Sequence, residues 1–141
     1  MKSRTAVLFI ALLMLAGSMQ AQLFGGVKKV QNAPLHAGIS RTFDHGFKPV
    51  LTAARESMLE SGLSMESSSK IDANTFMMIG SRRANVASWG EVARVVVIKE
   101  GDEQTTVRVY TQRKVKVNIT AKADFANTIL SNIDLKINDD F

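Results

Sequence analysis

The chain has 141 residues, 45% of them hydrophobic, with 18 lysines and arginines against 13 acids and no cysteine. That length suits one domain with its own core. The lack of cysteine excludes disulfides, thiolate metal sites and lipid attachment through a cysteine beside a cleavage site.

The N-terminus reads as a targeting segment. Lys2 and Arg4 make a short basic stretch, an apolar run follows from Ala6 to Ala16, and small or polar residues close it at Gly17, Ser18, Met19, Gln20 and Ala21. This is the order of a secretory signal peptide, and the run is too short for an unaided span of about 20 apolar residues. The expectation is cleavage after Ala21, with Ala16-Gly17-Ser18 as a second small-residue site, and a product in the periplasm or outside the cell. An uncleaved anchor is the alternative. Removing residues 1–21 leaves 16 basic residues against the 13 acids, so the net charge falls from +5 to +3. That balance is ordinary for a small domain and does not point to nucleic acid.

Residues 22–43 read as a mobile lead-in, with Gly25, Gly26 and Pro34 and little periodicity, and with a short extended piece at 38–43. A helix is expected from near Gly46, with Asp44 as a nearby cap residue and Pro49 in the first turn. Val50, Leu51, Ala54, Met58 and Leu63 give it an apolar stripe, and Gly62 stops it. Strands are expected at 64–70, a polar edge; at 75–83; at 92–99, rich in β-branched residues; and at 105–119. Glu100, Gly101, Asp102 and Glu103 form the turn before the last strand, with Gly101 supplying an unusual backbone angle. In that strand Val107, Val109, Val115, Val117 and Ile119 share one face, while Arg108, Tyr110, Gln112, Lys114, Lys116 and Asn118 share the other. A closing helix runs from Ala121 or Asp124 to Ile137, with Phe125, Ala126, Ile129, Leu130, Ile133 and Ile137 on one side. Residues 138–141 are a frayed tail.

The fold class is therefore α+β: an antiparallel meander of three to four strands with two helices on one face, in a single domain at 44–137. Thr42, Phe43 and Asp44, the helical positions Leu51, Ala54, Met58, Gly62 and Leu63, and the hairpin from Lys99 to Val109 resemble a class of small bacterial envelope domains of unknown function, often lipoproteins, with helix–β-meander–helix order. The resemblance covers about residues 42–137. It implies a fold and an envelope address and carries over no catalytic residue. The missing cysteine departs from the lipoprotein pattern.

Candidate binding residues fall in two groups. Arg82, Arg83 and Trp89 belong to a loop between strands; arginines beside an indole grip an anion or an acidic partner, or Trp89 folds back over one end of the core. Arg108 and Tyr110 lie on the solvated face of the last strand, where a basic ladder suits anionic surfaces or discourages edge pairing. His36 and His45 lack a second ligand at helical spacing, so no metal and no cofactor is expected. The serines from Ser57 to Ser69 include no nucleophile turn with a base. One puzzle stays open: the strands at 75–79 and 95–98 are apolar at both parities, so either Met77 with Ile79 or Phe76 with Met78 points away from the helices. A second apolar face fits a partner or dimer, or a cover formed by residues 22–43.

The expected function is a non-enzymatic envelope protein that binds an envelope partner, or a second copy, through the open sheet face. Nucleic acid is not expected; anionic membrane or cell-wall contact would be weak. The alternative is a small-ligand or lipid-binding domain with a pocket near Trp89.

Overall fold

The computed structural model describes residues 26–83, 90–113 and 125–139. The expected signal peptide, Trp89 and the 114–119 half of the long strand lie outside them. The elements are α1 (26–31), β1 (Ile39–Phe43), α2 (Phe47–Glu60), β2 (Ser64–Lys70), β3 (Thr75–Arg82), β4 (Glu91–Gly101), β5 (Gln104–Arg113) and α3 (Phe125–Asp139). All strand pairs are antiparallel, in the order β1-β5-β4-β3-β2. Among the described residues no helix is long and apolar enough to cross a membrane.

The α+β class is as expected; the strand count and the order of elements are not. Five strands form the sheet instead of three or four, and a helix and a strand precede α2. The fifth strand, β1, falls on the short extended piece expected at 38–43 and pairs with β5 in the register Ile39↔Val109 through Phe43↔Thr105. Turn chemistry announces a hairpin between neighbours in sequence, whereas this pair is joined across the whole meander and leaves no local signal. Residues 26–43 are thus part of the folded unit rather than a mobile lead-in. At the other end α3 continues through Asp139, beyond the expected end at Ile137, and the Asn138 side-chain Nδ2 donates to the Asp134 carbonyl at 2.8 Å.

Helix α2 follows from its spacing. Val50, Ala53, Ala54, Ser57 and Met58 recur on one side and are buried. Gly46, not Asp44, occupies the N-cap, in an extended conformation. The far end closes on Gly62, whose φ of +80° suits glycine. There the Gly62 amide donates to the Leu59 carbonyl and the Leu63 amide to the Met58 carbonyl. This paired termination also brings Leu63 and Met58 together in the core. Gly101 does not need a positive φ; it lies where the β4–β5 register shifts, so a bulge, not an unusual glycine angle, shapes that hairpin.

The main core fills the space between α2, α3 and one face of the sheet. Met78, Ala93, Val95, Val97, Val107 and Val109 supply the sheet side; Ile129, Leu130 and Ile133 supply the α3 side. Phe76 and Met78 therefore face the helices, and Met77 and Ile79 face away. Gly80 lies opposite Ala93, and this small pair lets the end of α2 approach closely. A Cβ at position 80 would lie 3.0 Å from the Met58 methyl carbon and 3.1 Å from the Leu63 Cβ.

Candidate functional site

The second face of the sheet decides where a site can be. β3 and β4 are apolar at both parities, a pattern that belongs to strands covered on two sides. Residues 26–37 supply the second cover. Val30 of α1 is fully buried and joins Met77, Ile79, Val92 and Val96 in a second apolar cluster, with Val27, Ile98 and Tyr110 half-buried around it. The sheet face that the sequence leaves open is in this way partly closed by the chain itself. Burying Val30 contributes about 1.5–3 kcal/mol, enough to hold a short segment but small beside the main core.

Arg94 stands in the middle of this face. It lies in the run Val92-Ala93-Arg94-Val95-Val96-Val97, alternates with Ala93 and Val95, and has 0% of its surface exposed. Its Nη1 donates to the Val30 carbonyl at 3.1 Å and to the Ala33 carbonyl, and its Nη2 donates to the Pro34 carbonyl at 2.7 Å. The guanidinium thus gathers carbonyls at and just beyond the C-terminal end of α1, where a helix leaves oxygens unbonded and favours positive charge. Burial pulls the Arg94 guanidinium below its ordinary value; Tyr110 pushes it up and the neighbouring Arg108 charge pulls it down further. The Tyr110 ring, across from Arg94 in the β4–β5 register, packs under the guanidinium.

Arg108 is two residues before Tyr110 on the same face of β5 and donates to the Leu35 carbonyl at 3.1 Å. Two guanidiniums therefore hold four main-chain carbonyl oxygens, at Val30, Ala33, Pro34 and Leu35. Among the described residues no carboxylate forms an ion pair with either of them. The fit is also incomplete. Arg94 Nε, a donor, and Gln112 Oε1, an acceptor, are buried without a partner among the described residues. Gln112 and Arg94 belong to the same face, since Gln112 pairs with Val92 and Tyr110 with Arg94.

No protein-family model matches this chain, and no curated protein matches its sequence.

The structure separates the residues singled out from the sequence. Arg108 and Tyr110 come together on the covered face, beside Arg94, which was not among the expected binding residues. Arg82 lies on the opposite, helix-facing side, where its Nη2 pairs with Glu91 at 2.5 Å and its Cζ sits 5.3 Å from the centre of the Phe125 ring. Arg83 is exposed, and Trp89 lies outside the described residues, as does any pocket around it. One signal for Arg94 was present: a lone charge inside an apolar run of strand residues must either break the strand or find partners on a covered face.

The remaining surface offers less. A shallow groove of about 310 Å³ between α2 and α3 is lined by Lys48, Thr52, Glu56 and Lys136 over Pro49, Ala53 and Ile137. One of its two cations is already engaged: Lys136 Nζ lies 2.6 Å from Glu60 and 3.5 Å from Glu56. Among the described residues no group of three acids or histidines is placed to hold a metal ion.

Proposed function

We propose that this is an exported, non-enzymatic envelope protein that binds another polypeptide, or a second copy of itself, through the sheet face that residues 26–37 occupy. One observation carries the reading: that face already holds a polypeptide segment, through main-chain carbonyls on Arg94 and Arg108 and an apolar recess for Val30. Carbonyl contacts read backbone rather than side chains, so the same surface suits a segment from another molecule. The export half of the reading rests on the basic, apolar and small-residue order of residues 1–21, and the envelope address on the resemblance of residues 42–137 to envelope domains.

Panning a random peptide display library against the wild-type protein and a Val30→Ala variant tests this. The variant weakens the built-in segment and is expected to select peptides, with a weaker selection by wild type, and Arg108→Gln is expected to abolish it. Sedimentation of both proteins reads self-association through the same face. Monomers at every concentration, together with no peptide selection that depends on Arg108, overturn the reading.

A further inference from the structure

Taking that reading as its basis, we infer that the intended occupant of the Arg94–Arg108 face is an extended polypeptide segment bearing a carboxylate, and that residues 26–37 are a built-in competitor that holds the face until such a segment displaces them. Four observations lead there.

The first is charge. Two guanidiniums share the face and donate hydrogen bonds there to carbonyl oxygens, with no carboxylate paired to them among the described residues. An arginine fork matches a carboxylate in two parallel hydrogen bonds, a stronger contact than neutral oxygens provide. The second is the pair of orphaned atoms. Arg94 Nε lacks an acceptor and Gln112 Oε1 lacks a donor. A carboxylate supplies the first and a main-chain amide of an extended segment supplies the second, so one occupant satisfies both. The third is the slightness of the present cover. Of residues 26–37 only Val30 is buried, and Gln31, Asn32, Pro34, Leu35 and His36 are exposed. The fourth is the joint. Gly38, between this segment and β1, has φ of +109°, and a Cβ there would collide with the Val109 carbonyl. The segment therefore leaves the sheet edge through a residue free to turn either way, and it can lift while Ile39–Phe43 stays paired with β5.

The displacement is an exchange of hydrogen bonds with no covalent step. The incoming carboxylate takes the Arg94 and Arg108 donors, an apolar side chain replaces Val30 against Val92 and Val96, and the released carbonyls of residues 30–35 return to water.

Fluorescence anisotropy with two labelled synthetic peptides tests the proposal on the full-length Val30→Ala protein. One peptide has the sequence of residues 26–37; the other carries N32E and A33E. The acidic peptide is expected to bind about tenfold or more tightly than the unchanged one, the size of one charge-assisted hydrogen bond. That preference is expected to shrink as salt rises and to disappear in Arg108→Gln, whose half-exposed side chain can be removed without opening the core. Equal affinity of the two peptides overturns the carboxylate proposal and leaves peptide binding standing. No binding of either peptide overturns both, and marks residues 26–37 as a fixed part of the fold.

Discussion

Arg94 and Tyr110 face each other across the β4–β5 pair, with the guanidinium carbon 5.5 Å from the centre of the phenol ring. The ring gives the buried charge a polarisable floor while the carbonyls of residues 30–34 form its roof. A cation over an aromatic face is worth about 0.5–2 kcal/mol, more when desolvated. Tyr110→Phe keeps the ring and is expected to leave the segment in place. Tyr110→Ala removes it. Hydrogen exchange at the Asn32 and Ala33 amides, which bond to the Lys28 and Val30 carbonyls, should then quicken by about two- to thirty-fold.

Replacing Arg94 separates the stability of the body from the hold on the segment. A buried charge exchanged for an apolar chain of similar length is often neutral or stabilising. Arg94→Met is expected to leave the urea midpoint of the sheet within about 1 kcal/mol of wild type. The same change removes the guanidinium donor from the Val30, Ala33 and Pro34 carbonyls, so amide protection in residues 26–37 should be lost. Global unfolding of Arg94→Met would show instead that the segment and the sheet are one cooperative unit.

The contrast between α2 and the covered face shows what sequence can and cannot convey here. Val50, Ala54 and Met58 announce α2, and Ile129, Ile133 and Ile137 announce α3, because a helix and its buried stripe are both local. The alternation around Val107, Arg108, Val109 and Tyr110 likewise separates core from second face without tertiary information. Met77 and Ile79 could not be placed the same way: when both faces are covered, parity no longer marks a side. The extended piece at 38–43 was legible, but its place at the sheet edge and the helix α1 were not, for a different reason. Their positions depend on partners such as Val109 and Arg94, more than sixty residues away. The site was half legible, since Arg108 and Tyr110 stood out as a basic and aromatic pair while Arg94 was hidden among valines, and Arg82 proved to serve the helix side.

Ser57 is a site for stabilisation. Its hydroxyl is fully buried on the core face of α2 and has no partner among the described residues, although the Ser57 carbonyl accepts from the Ser61 hydroxyl at 2.7 Å. An unsatisfied buried hydroxyl costs about 1–3 kcal/mol, and alanine is also the better helix former. Ser57→Ala is expected to raise stability by about 1 kcal/mol or more in urea unfolding.

Gly80 should tolerate no side chain. Besides the Met58 and Leu63 atoms, a Cβ there would meet the Ser64 carbonyl oxygen at 3.3 Å, so the end of α2 and the start of β2 crowd it together. The methionine methyl can move; the Leu63 Cβ is fixed by the helix termination that Gly62 sets. Gly80→Ala is expected to cost about 1–3 kcal/mol by overpacking, read as a lower urea midpoint at unchanged slope.

The β2–β3 turn carries a titratable lock. The Asp72 carboxylate accepts from the Asn74 amide at 2.8 Å, and Ile71 and Lys99 donate to the Thr75 and Asn74 carbonyls, which ties the turn to β4. The Asn74 amide bond, followed by the Thr75 side chain, holds the Asp72 carboxyl below its ordinary 3.8. A carboxyl depressed in the folded state stabilises above its unfolded value and loses that contribution as pH falls through the folded one. The stability difference between wild type and Asp72→Ala should therefore be constant above about pH 5 and shrink as the pH drops below the ordinary carboxylate range. Paired urea midpoints taken from neutral pH down to about pH 3 measure it. A gap that stays level through that range would mean that Asp72 holds the turn by shape alone and not by charge.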